Sequence, residues 1–101
     1  MVIEIIRYNI PAGQEAAFES AYEQAQQYLA ESPNCLGYQL AHCVEEPNRY
    51  ILRIDWDSIE GHMQGFRNSS YFPKFFQLVS PYFKSVDEMQ HYKETPIYLK
   101  K

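Results

Sequence analysis

The sequence predicts one α+β domain in the order β-α-β-β-α-β. Three observations predict it. The chain has 101 residues, which is room for a single domain. Strand-like and helix-like runs follow one another in that order, with turn residues between them. The first strand carries apolar residues on both of its faces, so its sheet needs a cover on each side.

Residues 2–10, VIEIIRYNI, read as that first strand, and Pro11 ends it. Val2, Ile6 and Ile10 share one parity, and Ile3 and Ile5 the other. Helices on one side leave the second face wet, and a second copy of the chain is the economical cover for a domain this small. Residues 14–31 read as a helix with Phe18, Ala21, Tyr22, Ala25, Tyr28 and Leu29 on one stripe. Ser32-Pro33-Asn34 stops it.

Residues 35–45 and 49–56 read as a hairpin turned by Glu46-Pro47-Asn48. Leu36, Tyr38, Leu40, His42 and Val44 are expected on one face of its first strand. Tyr50, Leu52, Ile54 and Trp56 share a face of the second, with Arg53 and Asp55 opposite. The outer face is therefore expected to be mixed and partly wet. Asp57-Ser58-Ile59-Glu60 resembles a capped helix start with an acidic cap. Ile59, His62, Met63 and Phe66 form the expected inward stripe, and Asn68-Ser69-Ser70 breaks it. A second helical piece from Tyr71 carries Phe72, Phe75, Phe76 and Val79, with Pro73 in its first turn and Ser80-Pro81 at its end. Residues 84–93 read as the last strand and 95–101 as a tail. This is the ferredoxin-like plan, with both helices on one face of a four-stranded antiparallel sheet.

Composition excludes several classes of function. Net charge is −4 with scattered Lys and Arg, so no basic stripe exists for nucleic acid. No apolar run approaches the roughly 20 residues that span a membrane. The start of the chain reads directly as strand rather than as a signal peptide, and a cytoplasmic location is expected. Cys35 and Cys43, eight residues apart in one predicted strand, are expected to stay reduced. Aromatic residues make up 16% of the chain, more than a small core needs, which hints at a pocket or an interface.

Self-advertising chemistry is missing. The sequence has no Gly-rich phosphate loop, no HExxH and no GxSxG elbow. His42, His62 and His91 fall on three different predicted elements, and no metal or cofactor is expected. One dense stretch remains, Trp56 to Phe72. Its W-x-S-x-x-x-H, then F-R-x-S, then an aromatic pair, resembles the strand-to-helix junction of the antibiotic biosynthesis monooxygenase family. Gly13 to Phe18 is similar to that family's first helix, and Glu88-Met89-Gln90-His91-Tyr92 to its last strand.

The resemblance spans roughly residues 2–94. It implies a dimeric α/β barrel, two protomers joined through their sheets, with a pocket between sheet and helices in each. Members include cofactor-independent oxygenases of polycyclic phenols, quinol oxygenases and haem-degrading enzymes. The haem-ligating His of the last group aligns with Phe76 or Phe75, its Trp near Phe66, and its Asn near Ile6 or Arg7. All three departures argue against haem degradation. For the phenol oxygenases, Trp56 matches a pocket Trp and His62 falls where a pocket Tyr occurs, while a pocket Arg is replaced near Phe76. The resemblance therefore implies a cofactor-independent monooxygenase of a small aromatic or quinol. His62 is its expected catalytic base and Trp56 its expected pocket wall; from the residues themselves, Tyr38 and His42 on one strand face and Phe66, Phe72 and Phe76 of the aromatic cluster are the other expected substrate-binding residues. The alternative is a non-catalytic dimer of the same fold that holds a hydrophobic small molecule. By residue chemistry alone, Trp56 and His62 read first as packed core groups, and Arg67 as a surface ion pair or a helix-terminus contact.

Overall fold

The computed structural model describes all residues from Met1 to Lys101. The elements are β1 (Val2–Asn9), α1 (Glu15–Glu31), β2 (Cys35–His42) and β3 (Arg49–Trp56), then a π-helical turn (Gly61–Phe66). They continue with α2 (Tyr71–Val79), a 3-10 turn (Ser80–Ser85) and β4 (Val86–Lys93). The strands form one antiparallel sheet in the order β2-β3-β1-β4. The expected α+β, ferredoxin-like order is present.

Both helices pack on one face of the sheet. Phe18, Tyr22, Ala25 and Leu29 of α1 meet Ile6 and Tyr8 of β1 and Tyr50, Leu52, Ile54 and Trp56 of β3 in a single core. Phe66, Phe75 and Val79 close it from the other side. Each fully buried large apolar side chain here contributes about 1.5–3 kcal/mol of transfer free energy. Phe18 lies at the centre, edge-on to Tyr8, Tyr22 and Tyr82.

The opposite face is open. It presents half-buried Ile3, Ile5 and Ile51 between two ion pairs, Arg7–Glu88 at 2.7 Å and Arg53–Asp55 at 2.9 Å. This is the mixed surface expected from the alternation in β1 and β3.

Five local expectations need correction. Leu36 does not join the inner face of β2. Pairing skips from Cys35–Trp56 to Gly37–Asp55, so Leu36 is a bulged extra residue and is exposed. Val44 lies beyond the strand end and is exposed. The helix after β3 is capped by Ser58 rather than Asp57. The Gly61 N–H donates to Ser58 Oγ at 2.9 Å, while the Asp57 carboxylate accepts from Asn34 Nδ2 at 2.9 Å. That helix is also a π turn, in which the Arg67 N–H reaches back five residues to the His62 carbonyl. The wider turn buries His62 and Phe66, four residues apart, and leaves Ile59 and Met63 exposed.

Two glycines let this turn sit against the start of β2. A Cβ on Gly61 would lie 1.8 Å from Asp57 Oδ1, and one on Gly65 would lie 2.3 Å from Asn34 Oδ1. The final strand begins at Val86 rather than 84, because Ser80–Ser85 coils into the 3-10 turn. Asp87 is bulged out of its pairing with β1 and reaches Arg49 at 3.4 Å.

Candidate functional site

A cavity of about 90 Å³ lies between the sheet and the segment running from the π turn through α2. The sheet supplies Glu4, Ile6 and Tyr8 from β1, Ile54 and Trp56 from β3 and Met89 from β4. The π turn supplies His62 and Phe66, and Arg67 follows directly. Phe72, Phe75, Phe76 and Val79 come from α2, Phe83 from the 3-10 turn and Tyr22 from α1. Twelve of the fifteen lining residues are hydrophobic. Phe76, Phe83 and Met89 are each about two-fifths exposed, and they form the mouth.

One end of this apolar slot is polar. Trp56 is fully buried and donates its indole N–H to Glu4 Oε1 at 3.0 Å. The His62 ring stacks on the Trp56 indole, with centroids 4.5 Å apart and planes 12° from parallel. His62 Nε2 lies 3.6 Å from Glu4 Oε1, and its Nδ1 lies 2.7 Å from Nε2 of His91 on β4. A hydrogen bond between two imidazoles needs one bare and one protonated nitrogen, so the pair fixes complementary tautomers.

Burial sets the charge states of this cluster. Desolvation, then the neighbouring His91 and the Arg67 guanidinium, pull His62 down to about 4, so its imidazole is neutral at neutral pH. His91 is lowered as well, first by burial and then by Arg67. Burial raises the Glu4 carboxyl against the opposing indole hydrogen bond and the Arg67 charge. Along the wall, the hydroxyls of Tyr8 and Tyr22 meet at 2.5 Å, and burial pushes Tyr8 up to about 12.

Of the residues singled out in the sequence, Trp56, His62, Phe66, Phe72 and Phe76 meet at this one cavity. Tyr38 and His42 do not. Tyr38 donates to Gln26 Oε1 at 2.9 Å over a separate groove between α1 and β2. His42 is exposed at the end of β2, stacked on Tyr50 with centroids 4.1 Å apart and hydrogen-bonded to the Pro47 carbonyl. Arg67 makes no ion pair; its guanidinium sits over the Phe72 ring, 5.8 Å from the centroid, and borders the cavity.

Sequence reasoning missed Glu4, Arg67 and His91. The available signal for Glu4 was a lone acid on the core-facing parity of an otherwise apolar strand. His91 carried no local signal, because the antiparallel register of β1 and β4 is what sets it beside Glu4.

Comparison with known proteins is consistent along the chain. Residues 1–78 match the sequence profile described as antibiotic biosynthesis monooxygenase. The uncharacterized protein YczJ of Bacillus subtilis (strain 168) is 29% identical over 94 residues, covering 93% of this chain and 99% of that protein. A crystal structure of a candidate antibiotic biosynthesis monooxygenase from Bordetella bronchiseptica is 30% identical, with a TM-score of 0.77, covering 93% of this chain and 96% of the other. SnoaB, a cofactor-independent oxygenase from Streptomyces nogalater, shares the fold at a TM-score of 0.74 and 19% identity, over 96% of this chain and 97% of its own.

Proposed function

The chain belongs to the antibiotic biosynthesis monooxygenase family, and on that premise we propose that it is a cofactor-independent monooxygenase of a small aromatic or quinol-type substrate. The observation that carries this reading is the cavity itself. It is an aromatic slot with a neutral imidazole and a buried carboxyl at its inner end and an unpaired guanidinium at its border.

The chemistry asks for those groups. A naphthol plus O2 gives a naphthoquinone plus water. One oxygen atom enters the ring carbon, and the other leaves as water with the hydrogens lost from that carbon and from the hydroxyl. The substrate supplies every electron, so no outside reductant is required. Its phenolate is the electron donor. His62, with Glu4 behind it, accepts the phenolic proton, and Arg67 favours the anion left in the slot. Trp56 and Phe66 form the flat walls, and the mostly apolar lining limits water around the intermediates.

Size constrains this reading. An apolar cavity that holds benzene measures about 150 Å³, against about 90 Å³ here. Substrate access therefore requires Phe76, Phe83 or Met89 to swing outward at the mouth. The small volume also supports the second reading, a non-catalytic dimer that holds a hydrophobic molecule. In both, the open sheet face with Ile3, Ile5 and Ile51 is covered by a second copy of the chain, which completes a dimeric α/β barrel. Neither reading involves a membrane or nucleic acid, and no helix is long and apolar enough to cross a membrane.

O2 consumption with a panel of hydroquinones and naphthols separates the two. The catalytic reading expects turnover by the wild type and loss of about 10²-fold or more in His62→Ala, the usual scale for a proton acceptor. Equal rates for the two proteins would overturn the catalytic role of His62, and no turnover by the wild type would overturn the oxygenase reading in favour of binding alone.

A further inference from the structure

We propose that Glu4, His62 and His91 form a site for one divalent transition-metal ion, of the zinc or iron(II) class. Two imidazoles and a carboxylate are a donor set that such ions select, and three protein ligands leave further positions open. One ligand atom from each residue lies within 4.8 Å of the others. Ligands held 2.0–2.2 Å from a common ion sit about 3–3.5 Å apart. His62 approaches His91 at 2.7 Å through Nδ1 and Glu4 at 3.6 Å through Nε2, so an ion takes one of these two nitrogens and its remaining donor lies within 4.8 Å. Closing the widest pair from at most 4.8 Å to that spacing takes a side-chain adjustment of roughly 1–2 Å.

The surroundings favour an ion as well. The ligands come from β1, the π turn and β4, so three packed elements position them. Trp56 orients two of the three, donating to the Glu4 carboxylate and stacking on the His62 ring. Such outer contacts fix ligand geometry in metal sites. Glu4 is 3% exposed, with no Lys or Arg within ion-pair distance, and a divalent charge would offset that burial. Arg67 is the one cation nearby and acts against the ion, at longer range. His91 also lines a surface groove with Asp57, Ser58 and Glu60, which gives an ion a way in from solvent.

The site has a consequence that rests on the function proposed above. An ion bound to His62 takes the lone pair that would receive a phenolic proton, so metal and proton compete for the same ring.

The test uses the full chain after chelator treatment, with Zn²⁺ in titration calorimetry and Co²⁺ followed by its visible absorption. Expected are one ion per chain in the micromolar range or tighter, and a loss of about 10–100-fold or more in His91→Ala and in Glu4→Gln. His42→Ala, which alters an exposed histidine outside the cluster, keeps wild-type affinity. His91→Gln serves if His91→Ala is poorly folded. Absence of 1:1 binding, or equal affinity in the wild type, His91→Ala and Glu4→Gln, overturns the site. Zn²⁺ is then added to the O2 assay. Binding with inhibition upholds both the site and the competition. Binding without inhibition upholds the site and overturns the proton-accepting role of His62.

Discussion

Replacing Trp56 by Phe tests the polar end of the cavity through stability. The ring position is kept, but the indole N–H that reaches Glu4 at 3.0 Å is removed. A hydrogen bond to a charged group is worth about 1.5–3 kcal/mol. The lost packing against His62 and Phe66 adds about 1 kcal/mol. The expected cost is therefore about 2.5–4 kcal/mol, or about 10–30 °C in Tm for a domain of this size. Glu4 is then left buried without its donor, so Glu4→Leu in the same chain should recover part of the loss. The coupling between the two substitutions should reach about 1.5–3 kcal/mol. Urea unfolding followed by far-UV circular dichroism is the assay, since Trp56 is the only tryptophan. Protein concentration is held fixed, because self-association would move the midpoint. A double variant no more stable than Trp56→Phe, with coupling below about 0.5 kcal/mol, would refute the claim that the indole holds a buried carboxylate.

Three further outcomes follow from the packing. Gly65→Ala should cost about 1–3 kcal/mol, because its Cβ would meet Asn34 Oδ1 at 2.3 Å; an unchanged urea midpoint would contradict that contact. Burial pushes the Cys35 thiol above its ordinary value, with the Asp55 charge adding to the shift. Less thiolate is then present at any pH below that raised value, so iodoacetamide should label Cys35 slowly at pH 8 and faster as pH rises. Rapid labelling at neutral pH, read by peptide mass, would count against its half-buried place at the start of β2. Phe76→Ala removes a ring from the mouth and should tighten binding of a naphthol by several-fold, measured by quenching of Trp56 fluorescence. Unchanged quenching would mean that the mouth lies elsewhere.

Much of the fold was legible because burial imposes periodicity. The α1 stripe and the β3 alternation appear in the structure as read, with Phe18, Tyr22, Ala25, Leu29 and Tyr50, Leu52, Ile54, Trp56 all buried. What the sequence hid were irregularities of one residue. The Leu36 bulge takes that one residue out of the inner face of β2 while Tyr38, Leu40 and His42 keep it, and the π turn widens the spacing of inward side chains from Ile59 onward. Neither leaves a mark in a pattern of apolar residues. The site divides the same way. Trp56, His62, Phe66, Phe72 and Phe76 lie close together in sequence, so a local stretch revealed them. Glu4 and His91 are 87 positions apart and meet only through the β1–β4 pairing. Tyr38 and His42 were read into the pocket on strand parity alone, but β2 is the edge strand on the far side of β3, away from Glu4 and His91.

The oxygenase account is tested most directly by supplying isotopically labelled O2 to chelator-treated protein with a naphthol and weighing the quinone formed. The account predicts one labelled oxygen atom per product, at a rate unaffected by removal of metal and lowered about 10²-fold or more in His62→Ala. A product that carries no label, or a rate that falls to background once metal is removed, would contradict it.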